Sequence, residues 1–136
     1  MQKPLINKST IFTEDCNFIE KNHRSWDILK NKKILLSGST GFIASSIIKF
    51  LIIISKKKKL NLQIDCLVRN KKKASDIYNR FKLDKKINLN IIKRNILKDI
   101  NLDGQYHYII HTASLASPSF FTKKPIETIL PNSLGL

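Results

Sequence analysis

The chain has 136 residues, of which 42% are hydrophobic: enough for one core, and short for a two-domain enzyme. Lys and Arg number 25 against 10 Asp and Glu, a formal net charge of +15 and a pI near 10.0. The cysteines are Cys16 and Cys66, with no CxxC pair, which argues against a disulfide scaffold and a zinc site and fits a reducing cytoplasm.

Residues 1–30 read as a lead-in. "TEDCNFIEKNH" predicts a helix capped at Thr13 with acids in its first turn, packed on the sheet edge, followed by a short turn through "SWDILKNK". The N-terminus lacks the continuous apolar stretch of a secretory signal, and the run "FLIIIS", Phe50 to Ser55, is far below the roughly 20 residues of a membrane span. A soluble cytoplasmic protein is expected.

From residue 31 onward, elements alternate. "KKILLS" is the continuous apolar run of a strand covered on both faces, and "FIASSIIKFLIIIS" then carries its apolar residues at helical spacing. "LQIDCLV" (Leu62 to Val68) predicts a second strand, "KKASDIYNRFK" (Lys72 to Lys82) a polar helix and "INLNIIK" (Ile87 to Lys93) a third strand. "YHYIIHTA" (Tyr106 to Ala113) predicts the fourth, and "IETILPNSLGL" has helical spacing interrupted by Pro131. The alternation implies a parallel α/β sheet with right-handed crossovers. The runs Lys56–Lys59 and Lys71–Lys73 contain no interleaved aromatics for base stacking. With Lys, Asn and Ile crowding the whole chain, as AT-rich codons produce, the positive charge reads as solvated surface rather than a nucleic-acid site.

Between the first strand and its helix lies "SGSTGFIAS", spaced Gly38-x-x-Gly41-x-x-Ala44. A strand that ends in this pattern and opens a helix puts backbone N–H groups and a positive helix end where a pyrophosphate can sit. Gly38 permits the tight turn, Gly41 removes a side chain that would block the phosphate, and Ala44 allows close helix–strand packing. The context the motif demands is met, and a Rossmann-type, doubly wound, three-layer αβα domain of about four strands, incomplete over residues 31–136, is the expected fold.

These residues resemble the TGxxGFxG start of the extended short-chain dehydrogenase/reductase superfamily, with Ala44 replacing its last glycine. The stretch "HTASLASPSFFTKKPIETILPNSLGL" (His111 to Leu136) resembles the segment after the fourth strand in NAD-dependent epimerase/dehydratases related to UDP-glucuronate decarboxylases and dTDP-glucose 4,6-dehydratases. The resemblance implies that Gly38, Ser39, Thr40, Gly41, Phe42 and Ile43 hold the pyrophosphate of NAD or NADP. It also implies that Ala113, Ser114 and Ala116 line the nicotinamide side, that Ser117 and Pro118 approach a nucleotide-sugar substrate, and that Asn132 is largely structural.

Arg69 and Asn70 end the second strand, where a carboxylate suits NAD and an arginine the 2′-phosphate of NADP. Charge favours NADP, while relatives with an arginine here use NAD; the cofactor is expected to be NAD or NADP. Asn95, followed by Ile96, replaces the family's usual adenine-facing aspartate.

The family's catalytic pair is Tyr-x-x-x-Lys, with the tyrosine as base toward the sugar C4 hydroxyl. The match in this chain, Tyr78 to Lys82, falls between the second and third strands, on the adenine side, and reads as a chance match on a solvated helix face. His111 reads as a satisfied strand-end histidine; His23 and His107 have no catalytic company, and Ser114 and Ser117 lack a His-Asp partner pattern. No catalytic residue is assigned.

The chain is therefore expected to be the cofactor-binding N-terminal part of a nucleotide-sugar epimerase, dehydratase or decarboxylase of surface polysaccharide synthesis, inactive alone. The complete enzyme would be a homodimer. The alternative is a non-catalytic dinucleotide-binding or regulatory module. Losing a neighbour for "YHYIIH" would leave an uncovered edge strand that promotes self-association.

Overall fold

A computed structural model describes residues 10–23, 25–80, 88–98, 101–102, 104–115 and 117–135. In chain order the elements are α1 (Thr10–Asn22), a 3-10 turn (Asp27–Leu29), β1 (Lys33–Ser37), α2 (Phe42–Lys58) and β2 (Gln63–Val68). They continue with α3 (Lys71–Asn79), β3 (Asn88–Lys93), β4 (Tyr108–His111), α4 (Pro118–Lys123) and α5 (Pro125–Ser133). The four strands form one all-parallel sheet in the order β3-β2-β1-β4, the Rossmann-like arrangement that the alternation predicts.

The register aligns Leu35 with Asp65 on one side and Ile109 on the other, and Asp65 with Asn90. Because successive strand residues face opposite ways, Ile34, Leu36, Ile64, Cys66 and Val68 share one face. They pack with Ile48, Leu51, Ile52 and Ile54 of α2 and Ala74 and Tyr78 of α3 in a single buried cluster. The other face carries Lys33, Gln63, Asp65 and Asn90, together with the buried Leu35 and Leu67. Asp65 is 2% exposed and accepts from Tyr106 Oη at 2.7 Å, Asn90 Nδ2 at 2.7 Å and Gln63 Nε2 at 3.3 Å, with Lys33 Nζ at 3.3 Å. Burial alone would raise its pKa; these hydrogen bonds to the ionised form outweigh it, and the carboxyl is held below its ordinary value.

Two lysine runs behave as expected. Lys56, Lys57 and Lys58 complete the last turn of α2, where positive charge complements the helix dipole, and Lys59 closes it in the left-handed conformation (φ 53°). Lys71 to Lys73 form the exposed start of α3.

Three local readings are corrected. α1 is already helical at Thr10, a turn earlier than a Thr13 cap predicts, so Glu14 and Asp15 fall beyond its first turn. It packs against α2 rather than the sheet edge: Glu20 pairs with Lys57 and, at 2.9 Å, with Lys58, and Lys49 lies 4.1 Å over the Phe12 ring. The segment after β4 forms two helices, with Pro118 and Pro125 in their first turns where the missing N–H costs nothing, and α5 continues through Pro131. β4 is an edge strand, with Ile109 66% exposed.

Candidate functional site

The C-terminal ends of all four strands open onto a cleft of about 340 Å³. Its floor is the turn between β1 and α2. Gly38 takes φ +64°, and a Cβ there would come within 2.7 Å of the backbone of Thr112 and Ala113, so the glycine is required both by conformation and by the close approach of the chain leaving β4. Gly41 N–H donates to Gly38 O at 2.8 Å, which makes the turn tight. A Cβ at Gly41 would meet only Gly38 O, at 3.1 Å, so its remaining surroundings are open. Gly41 is also the N-cap of α2 and offers no side chain, so the first helical N–H groups receive no side-chain cap.

The turn is anchored from beneath. Ser39 is fully buried; its Oγ donates to Leu36 O at 2.7 Å, and its carbonyl accepts from Tyr78 Oη at 2.8 Å. Tyr78 is 3% exposed, which corrects its reading as a solvated residue: Ala74 and Tyr78, four apart, form the inward stripe of an otherwise polar helix. Burial holds the Tyr78 phenol protonated, well above its ordinary pKa, and pushes the neighbouring Cys66 thiol up to about 11. Neither group is a base or nucleophile at neutral pH. Lys82 of the Tyr-x-x-x-Lys match lies outside the described residues.

Of the residues singled out from sequence, Gly38, Thr40, Gly41, Arg69, Asn70, Asn95, Ile96, Ala113 and Ser114 come together in the cleft wall. Asn70 also caps α3, its Oδ1 accepting from Lys73 N at 3.0 Å. Ser114 Oγ accepts from Asn132 Nδ2 at 3.1 Å, tying the cleft to α5. Ser39 is turned into the core, and Phe42 and Ile43, 87% and 66% exposed, lie outside the lining. Ser117 and Pro118 sit at the start of α4, also outside it, and Ala116 is not among the described residues. Lys73, Arg94 and Thr112 line the cleft without having stood out in the sequence; Arg94, a cation at the end of β3 beside Asn95, carries the one signal a reader could use.

His111 needs a correction. Its Nδ1 lies 2.8 Å from Ser37 Oγ, which itself accepts from Thr112 N at 3.2 Å. The Ser37 hydroxyl and Nδ1 share one proton in this contact, its direction following the imidazole tautomer. Nε2 is buried without a hydrogen-bond partner, so the histidine is only half satisfied. His107 Nδ1 accepts from Lys33 N at 3.1 Å and is structural, and His23 stacks on Trp26. Among the described residues no group of His, Cys, Asp and Glu is placed to hold a metal ion, and no helix is long and apolar enough to cross a membrane.

No family model and no curated protein matches the chain. Among solved structures it is similar to the X-ray structure of Pen from Bacillus thuringiensis, with TM-score 0.62 and 24% identity over 79% of this chain. The match spans 32% of that protein's length, and at this identity the likeness is one of fold.

Proposed function

We propose that this chain binds NAD or NADP across the strand ends, as the cofactor-binding part of an enzyme resembling the nucleotide-sugar epimerases, dehydratases and decarboxylases of the extended short-chain dehydrogenase/reductase superfamily. The observation that carries the reading is the Gly38–Gly41 turn: a tight loop with space above Gly41, opening an uncapped α2 at the mouth of a cleft formed by all four strands. The residues present fit the group. The Gly38–Gly41 backbone and the start of α2 would hold the pyrophosphate, Arg69 and Asn95 the adenosine end, and Ala113 and Ser114 the nicotinamide ribose region. A bound nicotinamide supplies hydride acceptance, while the base for the sugar hydroxyl is assigned to no residue of this chain, Tyr78 being buried in the core.

Titration of the full chain with NAD and NADP, followed by calorimetry, tests the reading. Gly41→Leu places a bulky side chain in the open space above the turn, and binding should be abolished while the circular dichroism spectrum stays that of the folded chain. Unchanged affinity in that variant overturns the assignment.

A further inference from the structure

α1 uses one of its faces inside the molecule. Phe12, Cys16 and Glu20, spaced i, i+4 and i+8, turn toward α2: Lys49 lies over the Phe12 ring, Cys16 is buried, and Glu20 pairs with Lys57 and Lys58. The opposite stripe, Ile11, Glu14, Asp15 and Phe18 at i, i+3, i+4 and i+7, faces solvent, with Ile11 and Phe18 each 69% exposed. Although Lys and Arg outnumber Asp and Glu by 25 to 10, neither Glu14 nor Asp15 pairs with a cation among the described residues. An acidic stripe edged with apolar side chains is the exception on a chain of net charge +15.

The α4–α5 hairpin has the reverse character. Phe120, Phe121, Ile126 and Ile129 are exposed, and so are Lys123 and Lys124, where one helix passes into the next. Among the described residues Lys123 pairs with no acid, and Lys124 reaches only Glu127, at 3.9 Å. The two surfaces lie at opposite ends of the sheet. α1 runs beside the second half of α2, Phe12 by Lys49 and Glu20 by Lys57 and Lys58, next to the N-terminal strand ends. α4 follows β4, and Pro131 of α5 stands in the cleft wall at the C-terminal strand ends.

Scattered exposed apolar side chains are ordinary, whereas apolar residues grouped with charge of one sign fit a surface that carries the other sign. Like surfaces do not fit here: α1 on α1 sets acids against acids, and hairpin on hairpin sets lysines against lysines. We propose that the α1 stripe docks a second copy of this chain through that copy's α4–α5 hairpin, Ile11 and Phe18 packing on its exposed Phe and Ile side chains while Glu14 and Asp15 meet Lys123 and Lys124. The contact is head-to-tail, so a dimer keeps one free surface of each kind and can add further copies. A helix laid on a two-helix hairpin is a small contact, of the weak, concentration-dependent kind. The net charge of +15 opposes approach of two copies, but physiological salt screens that repulsion beyond about 8 Å, and the docked charges lie closer than this. No cleft residue is among those that dock, so the contact is independent of nucleotide binding.

Sedimentation velocity of the full chain over a wide concentration range, at physiological ionic strength, tests this. The parent should shift reversibly from monomer to dimer and larger species as concentration rises. Glu14→Lys/Asp15→Lys and Lys123→Glu/Lys124→Glu, surface changes whose circular dichroism should match the parent's, should each stay monomeric where the parent associates. Mixed in equal amounts the two variants should associate again, because each reversed surface now fits the other variant's unreversed one of the same sign pattern. Lys71→Glu/Lys72→Glu, a reversal at the exposed start of α3, should associate as the parent does. A parent that stays monomeric, association retained in either charge-reversed docking variant, no recovery on mixing, or an equal loss in the α3 control overturns the proposal. Association lost in Ile109→Lys but kept in both docking variants moves the contact to the β4 edge and overturns it as well. A monomeric parent that co-sediments with anionic phospholipid vesicles makes the hairpin a membrane-docking face and does the same.

Discussion

The two faces of the sheet are held together by different physics. Beneath α2 and α3, aliphatic side chains from Ile34 to Val68 are removed from water, a gain that is proportional to area and indifferent to direction. On the opposite face a single carboxylate, Asp65, is buried at the centre of four donors drawn from β1, β2, β3 and the segment before β4. Its burial is unfavourable unless every contact is made, so Asp65 contributes register more than bulk stability, which on this face comes from Leu35 and Leu67 beside it. The glycine turn emerges where the two meet: Tyr78 and Ser39 anchor it to the apolar face, and Ser37, on the polar face, leads into it.

The sharpest way to break the comparison is to delete apolar volume on each side. Leu36, 0% exposed, lies in the cluster beneath α2, and Leu36→Ala should lower unfolding free energy by about 2–5 kcal/mol in a urea titration. Ile109, on the other face of edge strand β4 and 66% exposed, should cost less than about 1 kcal/mol when replaced by Ala. Comparable losses would mean that the edge of this face at Ile109 is packed as tightly as the cluster beneath α2.

A smaller effect sharpens the link from core to site. Tyr78→Phe keeps the ring and removes the hydroxyl that donates to Ser39 O, leaving a buried carbonyl short of a partner, at a cost of about 1–2 kcal/mol. Freed from that anchor, the turn should also bind AMP more weakly than in the parent chain. Lost stability with unaltered AMP affinity would make Tyr78 a packing residue with no part in shaping the turn.

The strands are legible because each is a short apolar run between turn residues, and the glycine turn because the strand before it and the helix after it are unambiguous. What escapes a sequence reading has a common cause. The partners of Asp65, at Asn90 and Tyr106, are 25 and 41 residues away, and the Tyr78–Ser39 bond spans 39; no local pattern announces such contacts. Tyr78 misleads because its Tyr-x-x-x-Lys spacing draws attention outward, when the Ala74/Tyr78 spacing already places it on the inward stripe. The start of α1 misleads because acids after Thr13 imitate a first turn, although the uncharged residues before them are already helical.

The smallest predicted effect is read with pH, and it isolates the polar face. The Asp65 carboxyl is lowered in the folded chain relative to its ordinary value near 4, its burial being outweighed by donors that favour the charged form. The folded state therefore binds the proton less readily than the unfolded one. Stability from Asp65 is fully present above about pH 5 and is lost as pH falls through 4 toward the lowered value, because the unfolded chain takes up a proton first. Urea midpoints measured between pH 6 and pH 3 should decline along this limb, and Asp65→Asn, which cannot titrate, should flatten it relative to the parent. An equally steep decline in Asp65→Asn would assign acid sensitivity to other carboxylates, and Asp65 would then hold the strands without titrating as they separate.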